Sequence, residues 1–177
     1  IVTERGRVPQ DARLGTRLWW AAEDFLSRFA DLVVSNSDAG KRCLIERGIK
    51  PSRTRVVRNG INFHRLMPKS DKVIEIRTQM GVPPDGQVVG IVGRLTQVKD
   101  HATFLKAAML VTEQLPQTRF AVVGDGELRG ELETMARALN INSRVIFFGS
   151  QEDIGSYISA FDIACLSSLR EGCSNAI

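Results

Sequence analysis

Residues 88–111, VVGIVGRLTQVKDHATFLKAAMLV, combine a strand, a polar loop and a helix in one short stretch. The run VVGIV is continuously apolar, which is typical of a buried strand in a parallel sheet. Gly93 predicts a tight exit from that strand. Asp100 predicts the N-cap of the helix that follows. A strand that leads through a loop into a helix is the repeating unit of an α/β fold.

The same unit recurs along the rest of the chain. Apolar strands are predicted in RFAVV, RVIFFG and DIACLSS, and helices in ELRGELETMARALNI and DIGSYISAF. Such alternation predicts a Rossmann-like parallel sheet with helices on both faces. Upstream, LVVS and TRVVRNGI predict short strands, with Ser37 or Asp38 capping a helix between them. We expect an N-terminal domain over residues 1–62, a linker over 63–70 and a second domain over 71–177.

The stretch LGTRLWWAAEDFLSRF predicts an amphipathic helix near the start of the chain. Its apolar residues are Leu14, Leu18, Ala22, Phe25, Leu26 and Phe29, which lie near one helical face. Trp19 and Trp20 are expected to pack against the protein and not to form a lipid belt, because no other membrane signature is present.

The composition is globular, with 43% hydrophobic and 25% charged residues among 177. No apolar run reaches the roughly 18 residues of a membrane-spanning helix, and we expect a cytoplasmic protein. Three cysteines without a CxxC pair and two histidines predict no metal site, and no other cofactor is expected. The first 60 residues hold twelve Lys and Arg against seven Asp and Glu. This bias permits peripheral contact with an anionic membrane, whereas nucleic-acid binding is not expected.

The loop GRLTQVKD follows the first strand quoted above, at the edge of the sheet where ligands bind. Arg94 offers a planar fork to phosphate oxygens, and Lys99 offers a compact charge. Two cations on one short loop at this edge predict a site for a diphosphate. Surface cations without a ligand are the alternative reading.

Two further loops carry unusual residues. VGDGELRG spaces its glycines as G-x-G-x-x-x-G, which is not the dinucleotide fingerprint and disfavours an NAD-linked dehydrogenase. Gly124 and Gly126 form either a tight strand-to-helix turn or a ligand contact. In SSLREGCSNAI, Glu171 could accept hydrogen bonds from sugar hydroxyls. The small residues 172–175 could expose backbone N–H groups to an anion at a helix N-terminus.

The order and spacing of VVSNS, VRNGIN, GRLTQVKD, VVGDGEL, VIFFG and SSLREGCSNAI resemble the family-4 retaining glycosyltransferases of the GT-B fold. The resemblance implies two Rossmann-like domains, of which the C-terminal one binds a nucleotide-sugar donor and the N-terminal one a sugar or lipid-linked acceptor. It also implies transfer with retention of configuration, without a metal, in polysaccharide or glycoconjugate synthesis.

The resemblance assigns roles to individual residues. Arg94 and Lys99 would hold the donor diphosphate and stabilise the leaving group, and Glu171 would contact the transferred sugar. The remaining donor-binding residues would be Gly93, Gly124, Gly126, Phe148, Gly149, Gly172, Cys173, Ser174 and Asn175. His101 could approach the diphosphate, but we expect a solvated or capping histidine.

The chain departs from the family pattern at its ends. It starts without Met and stops two residues before the second Glu of the family's E-x7-E motif would occur. We expect a piece of a longer protein that is inactive alone. Cys173 stands where the family more often has an aromatic or small residue, and we expect it to be inert. The alternatives are a GT-B sugar-nucleotide epimerase and a non-catalytic nucleotide-sugar-binding module.

Overall fold

The computed structural model describes residues 2–4 and 14–169, which form two compact units. The first unit ends at Ile61 and the second begins at Asn62. The predicted linker contains a 3-10 helix over Phe63–Leu66. Glu171 and the predicted anion loop 172–175 lie outside the described residues.

Over its described residues, the first unit is a three-stranded parallel sheet with two α-helices and a 3-10 helix at Pro51–Arg53. Its elements are β1 (Val2–Glu4), α1 (Leu14–Ser27), β2 (Val33–Ser35), α2 (Asp38–Glu46) and β3 (Thr54–Val56), in the sheet order β1-β2-β3. Val33, Leu44 and Ile49 form its buried cluster. Of the two predicted caps, Ser37 is the N-cap of α2, since its hydroxyl accepts a hydrogen bond from the Gly40 N–H at 3.0 Å.

The apolar face predicted for α1 is exposed in the described structure. Leu18, Phe25, Leu26 and Phe29 are 58–71% exposed, and Phe29 lies beyond the helix end at Ser27. Phe25 and Phe29 contact each other edge to face, with ring centroids 5.3 Å apart. Periodicity predicts the helix correctly but does not establish that a facing element covers it. The side chains of Trp19 and Trp20 lie outside the described part of the structure.

The second unit is a four-stranded sheet in which every described strand pair is parallel. Its elements are α3 (Ser70–Gln79), β4 (Val88–Val92), α4 (His101–Gln114), β5 (Arg119–Val123), α5 (Arg129–Ala138), β6 (Val145–Gly149), α6 (Ile154–Ser159) and β7 (Ile163–Cys165). The sheet order is β6-β5-β4-β7. Sequence-adjacent strands β4, β5 and β6 are therefore neighbours, and β7 returns to the other side of β4.

Strand β5 shows how helices cover both faces of this sheet. Phe120 and Val122 belong to a cluster with residues of α4 and α5, whereas Ala121 and Val123 belong to one with residues of α3 and α6. Successive strand residues point to opposite faces, so each cluster fills one face. The predicted Rossmann-like parallel sheet with helices on both faces is confirmed.

Candidate functional site

The carboxyl ends of β4 and β5 carry loops that pack directly on each other. The Gly93 N–H donates to the Val123 oxygen at 2.9 Å, and the Leu95 N–H donates to the Asp125 oxygen at 3.0 Å. The Leu128 N–H in turn donates to the Leu95 oxygen at 3.1 Å. Leu95 is fully buried and anchors the β4 loop. The two loops therefore form one hydrogen-bonded unit at the ligand edge of the sheet.

Gly124 and Gly126 allow this close contact. A Cβ on Gly124 would lie 2.0 Å from the Gly93 oxygen, and a Cβ on Gly126 would lie 2.6 Å from the Leu95 oxygen. Gly124 also has a φ of 136°, which L side chains rarely adopt. The tight-turn reading of this glycine pair is therefore supported by the structure. Direct contact with a ligand stays a prediction.

Gly93 does not have the steric role expected from the sequence. A Cβ there would contact only the side-chain carbons of Lys99, at 3.7–3.9 Å, which is ordinary van der Waals distance. Glycine is therefore not required on steric grounds at position 93, and the donor contact predicted for Gly93 stays a prediction. The position that requires glycine on steric grounds is Gly124, which follows the neighbouring strand β5 and lies against the Gly93 backbone.

Arg94 and Lys99, the two predicted phosphate ligands, occupy the same loop. The Arg94 side chain is exposed and makes no hydrogen bond or ion pair with the described residues, whereas the Arg94 carbonyl oxygen accepts from the Thr96 N–H at 2.9 Å. Lys99 is partly buried and ends a 3-10 turn over Gln97–Lys99, with its aliphatic carbons lying over Gly93. The structure thus places one exposed guanidinium and one ammonium side chain at the carboxyl edge of β4.

The helix cap predicted for Asp100 is confirmed. Asp100 adopts a left-handed conformation with φ of 46°. Its carboxylate accepts hydrogen bonds from the Thr103 N–H at 3.2 Å and the Thr103 hydroxyl at 2.7 Å. This cap begins α4 immediately after Lys99 and so fixes the path of the loop.

The loop after β7 is tied to the same turn. The Ser167 hydroxyl lies 3.0 Å from the Lys99 carbonyl oxygen and 2.8 Å from that of Asp100. The Leu169 N–H donates to the Val98 oxygen at 2.9 Å. The described chain ends at Leu169, two residues before Glu171. The roles predicted for Glu171, Gly172, Cys173, Ser174 and Asn175 concern residues outside the described part of the structure.

The predicted pair Phe148 and Gly149 separates into two environments. Gly149 is buried with φ of 71°, and its oxygen accepts from the Gly124 N–H at 2.8 Å. It therefore belongs to the loop cluster. Phe148 packs edge to face on Tyr157, with ring centroids 5.0 Å apart. It belongs to the core cluster on the face of the sheet that α3 and α6 cover. A base contact by either residue stays a prediction.

Arg129 links the acids of this region. It contacts Asp125 at 3.2 Å and Glu133 at 2.9 Å, and its guanidinium also donates to the Phe147 oxygen at 3.4 Å. The hydrogen bond to Glu133 raises the pKa of Arg129. Asp125 is therefore engaged in holding the turn. Sequence reasoning missed Arg129, although its i,i+4 spacing from both acids is a readable signal.

His101 is neither solvated nor a cap, so the sequence-based expectation for it is wrong. It is 1% exposed, and the cap of α4 is Asp100. Burial and, to a lesser extent, the Lys99 charge lower the pKa of His101 from 6.5 to about 4, with Asp100 partly opposing them. Neither ring nitrogen has a hydrogen-bond partner in the described structure.

No cluster of three or more possible metal ligands occurs among residues 2–4 and 14–169. Over the same ranges, the helices are all too short or too polar to cross a bilayer. The predicted cytoplasmic location and the predicted membrane contact of the basic first third stay predictions.

Two family models match the chain. The model of the glycosyl transferases group 1 matches residues 72–176, and that of glycosyltransferase family 4 matches residues 2–65. Among curated proteins, EpsF of Bacillus subtilis, which carries a provisional assignment as a glycosyltransferase, is 31% identical over 147 residues. An Escherichia coli UDP-Gal:alpha-D-GlcNAc-diphosphoundecaprenol alpha-1,3-galactosyltransferase is 29% identical over 149 residues. These matches cover 83% and 82% of this chain and 38% of each relative.

Solved structures give the same result for the fold. Anabaena HepE in complex with UDP and glucose is similar with a TM-score of 0.80 and 26% identity, over 97% of this chain and 46% of that chain. The sucrose-phosphate synthase of Thermosynechococcus elongatus has a TM-score of 0.73 and 26% identity, over 96% of this chain and 42% of that chain. The predicted GT-B architecture is confirmed. The chain spans less than half the length of these proteins.

Proposed function

The chain belongs to the group 1 glycosyltransferases, and on that premise we propose that its second unit binds the nucleotide-sugar donor of a sugar-transfer reaction. The whole protein would transfer the sugar to an acceptor with retention of configuration, in polysaccharide or glycoconjugate synthesis. The observation that carries the proposal is the pair Arg94 and Lys99 on one loop at the carboxyl edge of β4.

The geometry of the loop suits a diphosphate. The Arg94 side chain is exposed and makes no hydrogen bond or ion pair with the described residues, so a ligand can use its fork of N–H donors without breaking an existing ion pair. Lys99 comes from the turn that begins α4, and the Gly124–Gly126 turn buttresses the loop from the β5 side. A loop held in this way fixes the backbone from which both cations extend, which lowers the entropy cost of binding.

In the proposed reaction, the bond between the anomeric carbon and the phosphate oxygen breaks, and the nucleoside diphosphate leaves with the electron pair. The acceptor hydroxyl attacks the anomeric carbon from the same face, and its proton passes to the leaving phosphate. Arg94 and Lys99 would stabilise the charge that develops on the diphosphate, which is electrostatic catalysis. Glu171 would hold hydroxyls of the transferred sugar, and the backbone of residues 172–175 would contact phosphate.

The names of the relatives suggest where to begin with substrates. HepE holds UDP and glucose in its crystal, and the galactosyltransferase of E. coli is named for UDP-Gal and a sugar on diphosphoundecaprenol. We therefore propose a uridine nucleotide as the first donor to test and a lipid-linked sugar as the first acceptor.

Calorimetric titration of UDP, GDP and ADP into the protein tests the proposal. Arg94→Ala and Lys99→Ala should each weaken binding of the preferred nucleotide about ten- to a hundredfold, which is roughly 1.5–3 kcal/mol for a charge-assisted hydrogen bond. Lys106→Ala is the matched control, because it removes an exposed cation of α4 that lies away from the loop. Equal weakening by all three variants would indicate a nonspecific charge effect and would contradict the proposed site.

A further inference from the structure

Arg129 is a side chain that the proposed reaction does not use, although it lies at the ligand edge of the second unit. It is the first residue of α5, and its guanidinium contacts Glu133 in the same helix at 2.9 Å and Asp125 at 3.2 Å. Its Nη2 also donates to the Phe147 carbonyl oxygen in β6 at 3.4 Å. One planar group with several N–H donors therefore joins α5, the Gly124–Gly126 turn and β6.

The guanidinium also lies against the end of β6. A Cβ on Gly149 would stand 3.1 Å from Arg129 Nη1 and 3.8 Å from a carboxylate oxygen of Asp125. Gly149 is buried with a φ of 71°, and its carbonyl oxygen accepts from the Gly124 N–H at 2.8 Å. The loop after β6 therefore starts from a backbone that is held by the β5 main chain and covered by the Arg129–Asp125 ion pair.

The order of the strands gives the direction in which a donor would lie on this edge. Strand β4, whose loop carries Arg94 and Lys99, lies between β7 and β5, and β6 lies beyond β5. The sugar is proposed on the β7 side, where Glu171 follows the strand. The nucleoside is attached to the other end of the diphosphate, so it extends over β5 towards β6. Neighbouring strands are about 4.8 Å apart, which places β6 roughly 10 Å from β4, within the length of a nucleoside diphosphate.

This path crosses the turn after β5, where Asp125 is an acid between two glycines. A carboxylate without a cation beside it would repel the phosphates of the ligand. Arg129 neutralises this carboxylate through the ion pair, and the Gly126 N–H donates to its Oδ1 at 2.8 Å. The guanidinium therefore acts on both features that a nucleoside would meet on this side, the acid of the turn and the exit of β6.

We propose that Arg129 is a positioning residue for the nucleoside half of the donor: together with Asp125 it fixes the exit of β6, so that the loop after β6 presents one shape to the base. This inference rests on the proposed donor site. It separates the choice of base from Arg94 and Lys99, which act on the phosphates. Because nucleoside diphosphates share their phosphates and differ in the base, the role of Arg129 shows in selectivity between nucleotides and not in affinity alone.

Titrations of UDP, GDP and ADP separate this role from simple packing. The unaltered protein should prefer one nucleotide about tenfold or more, as expected for one discriminating hydrogen bond, and Arg129→Met should reduce that preference to below about threefold. Lys99→Ala should weaken binding of all three by a similar factor and so keep the preference. Glu133→Ala is the matched control, because it removes the partner of Arg129 within α5 and leaves the contacts to Asp125 and β6 in place. It should also keep the preference.

Arg129→Lys keeps the test decisive if Arg129→Met does not fold. Lysine retains the positive charge beside the two acids, but its single nitrogen cannot also hold the Phe147 carbonyl oxygen as the planar fork does. Arg129→Lys should therefore bind the preferred nucleotide more tightly than Arg129→Met does, because Asp125 stays neutralised, yet should still show a reduced preference. The urea midpoint of each variant shows that the titrations report on folded protein.

Three results would overturn the inference. One is a folded Arg129→Met or Arg129→Lys variant that keeps the full preference of the unaltered protein. Another is an equal loss of preference in Glu133→Ala, which would indicate a general loosening of α5. The third is an unaltered protein that binds UDP, GDP and ADP equally. Each can occur while Arg94→Ala and Lys99→Ala still weaken binding, in which case the proposed donor site stands and only the role of Arg129 fails. If the unaltered protein binds none of the three nucleotides, the proposed function fails and this inference fails with it.

Discussion

Gly124 lies directly against the main chain of Gly93, so that a Cβ on Gly124 would stand 2.0 Å from the Gly93 oxygen. Only Gly124 must be a glycine for this close contact to form. A Cβ on Gly93 would meet nothing nearer than the side-chain carbons of Lys99 at 3.7 Å. The β4 loop, which carries the two cations, can therefore pack this closely on the β5 loop only because Gly124 has no side chain.

Gly124→Ala should therefore lower the free energy of unfolding by about 2–4 kcal/mol. The new methyl group clashes with backbone, which cannot rotate away, and the φ of 136° is strained for alanine. Urea denaturation measures the loss. Gly93→Ala is the matched control and should change stability by less than about 1 kcal/mol. Equal losses in the two variants would show that the β4 and β5 loops do not approach as described.

Buried His101 should make stability fall in mildly acidic solution. Its pKa is about 4 in the folded chain against an ordinary 6.5, so between these values the unfolded chain takes up the proton first. The free energy of unfolding should be unaffected by this group above pH 6.5 and should fall by about 3 kcal/mol in total as the pH drops through 4.

Urea midpoints at ~pH 7.5 and ~pH 4.5 measure this effect, which should reach about 2.5 kcal/mol between those conditions. His101→Leu should lack that part of the pH dependence. His64→Gln should retain it, because His64 is exposed. Carboxylates titrate in all three proteins. The difference between variants in the pH-dependent change of the free energy of unfolding therefore reports on His101. Identical pH profiles for His101→Leu and the unaltered protein would contradict the burial of the ring.

The sequence predicts the elements of the second unit because their signals are local. The strand at Val88–Val92 is a continuous apolar run, and Asp100 caps α4 through an atom of Thr103, three residues away. Neither feature needs information from elsewhere in the chain. The alternation of such signals is enough to predict a parallel sheet with helices on both faces.

The site features that sequence reasoning missed depend on distant contacts. The turn next to His101 is held by Ser167, 67 residues along the chain from Asp100, and no local pattern indicates which side chains such a packed junction buries. The steric need for glycine at Gly124 comes from a neighbouring strand. The exposed apolar face of α1 has the same cause, because periodicity describes the helix and not what lies against it.

Asp162 should stabilise the second unit by joining α3 to the sheet. Its carboxylate accepts from the Val88 N–H at 2.7 Å and from Arg77 at 3.0 Å. Asp162→Ala should cost about 1–2 kcal/mol, since the carboxylate is partly exposed and solvent screens the ion pair. Asp162→Asn keeps an acceptor for Val88 and should cost less. Calorimetric unfolding of both variants checks the order, and a larger loss for Asn would contradict it.

The same carboxylate should contribute to acid sensitivity at lower pH than His101 does. Burial raises the pKa of Asp162, but the hydrogen bonds from Val88 and Arg77 lower it more. The pKa of Asp162 therefore lies below its ordinary value of 3.8. A carboxyl group with a lowered pKa stabilises the fold above its ordinary pKa, and the contribution is lost as the pH falls further. Asp162→Asn should therefore reduce the pH dependence below about 3.8 and leave the window between 4 and 6.5 unchanged.

The second phosphate of the nucleotide should be recognised by the cations of the β4 loop, Arg94 and Lys99. If Arg94 and Lys99 both contact a diphosphate, the unaltered protein should bind UDP about tenfold or more tightly than UMP, because a charge-assisted hydrogen bond is lost with the second phosphate. Lys99→Ala should reduce that ratio towards one, whereas Lys106→Ala should preserve it. Titrations of both nucleotides into the three proteins measure the ratios directly. A Lys99→Ala variant that binds both nucleotides more weakly but keeps the ratio would show that Lys99 shapes the loop without contacting the second phosphate.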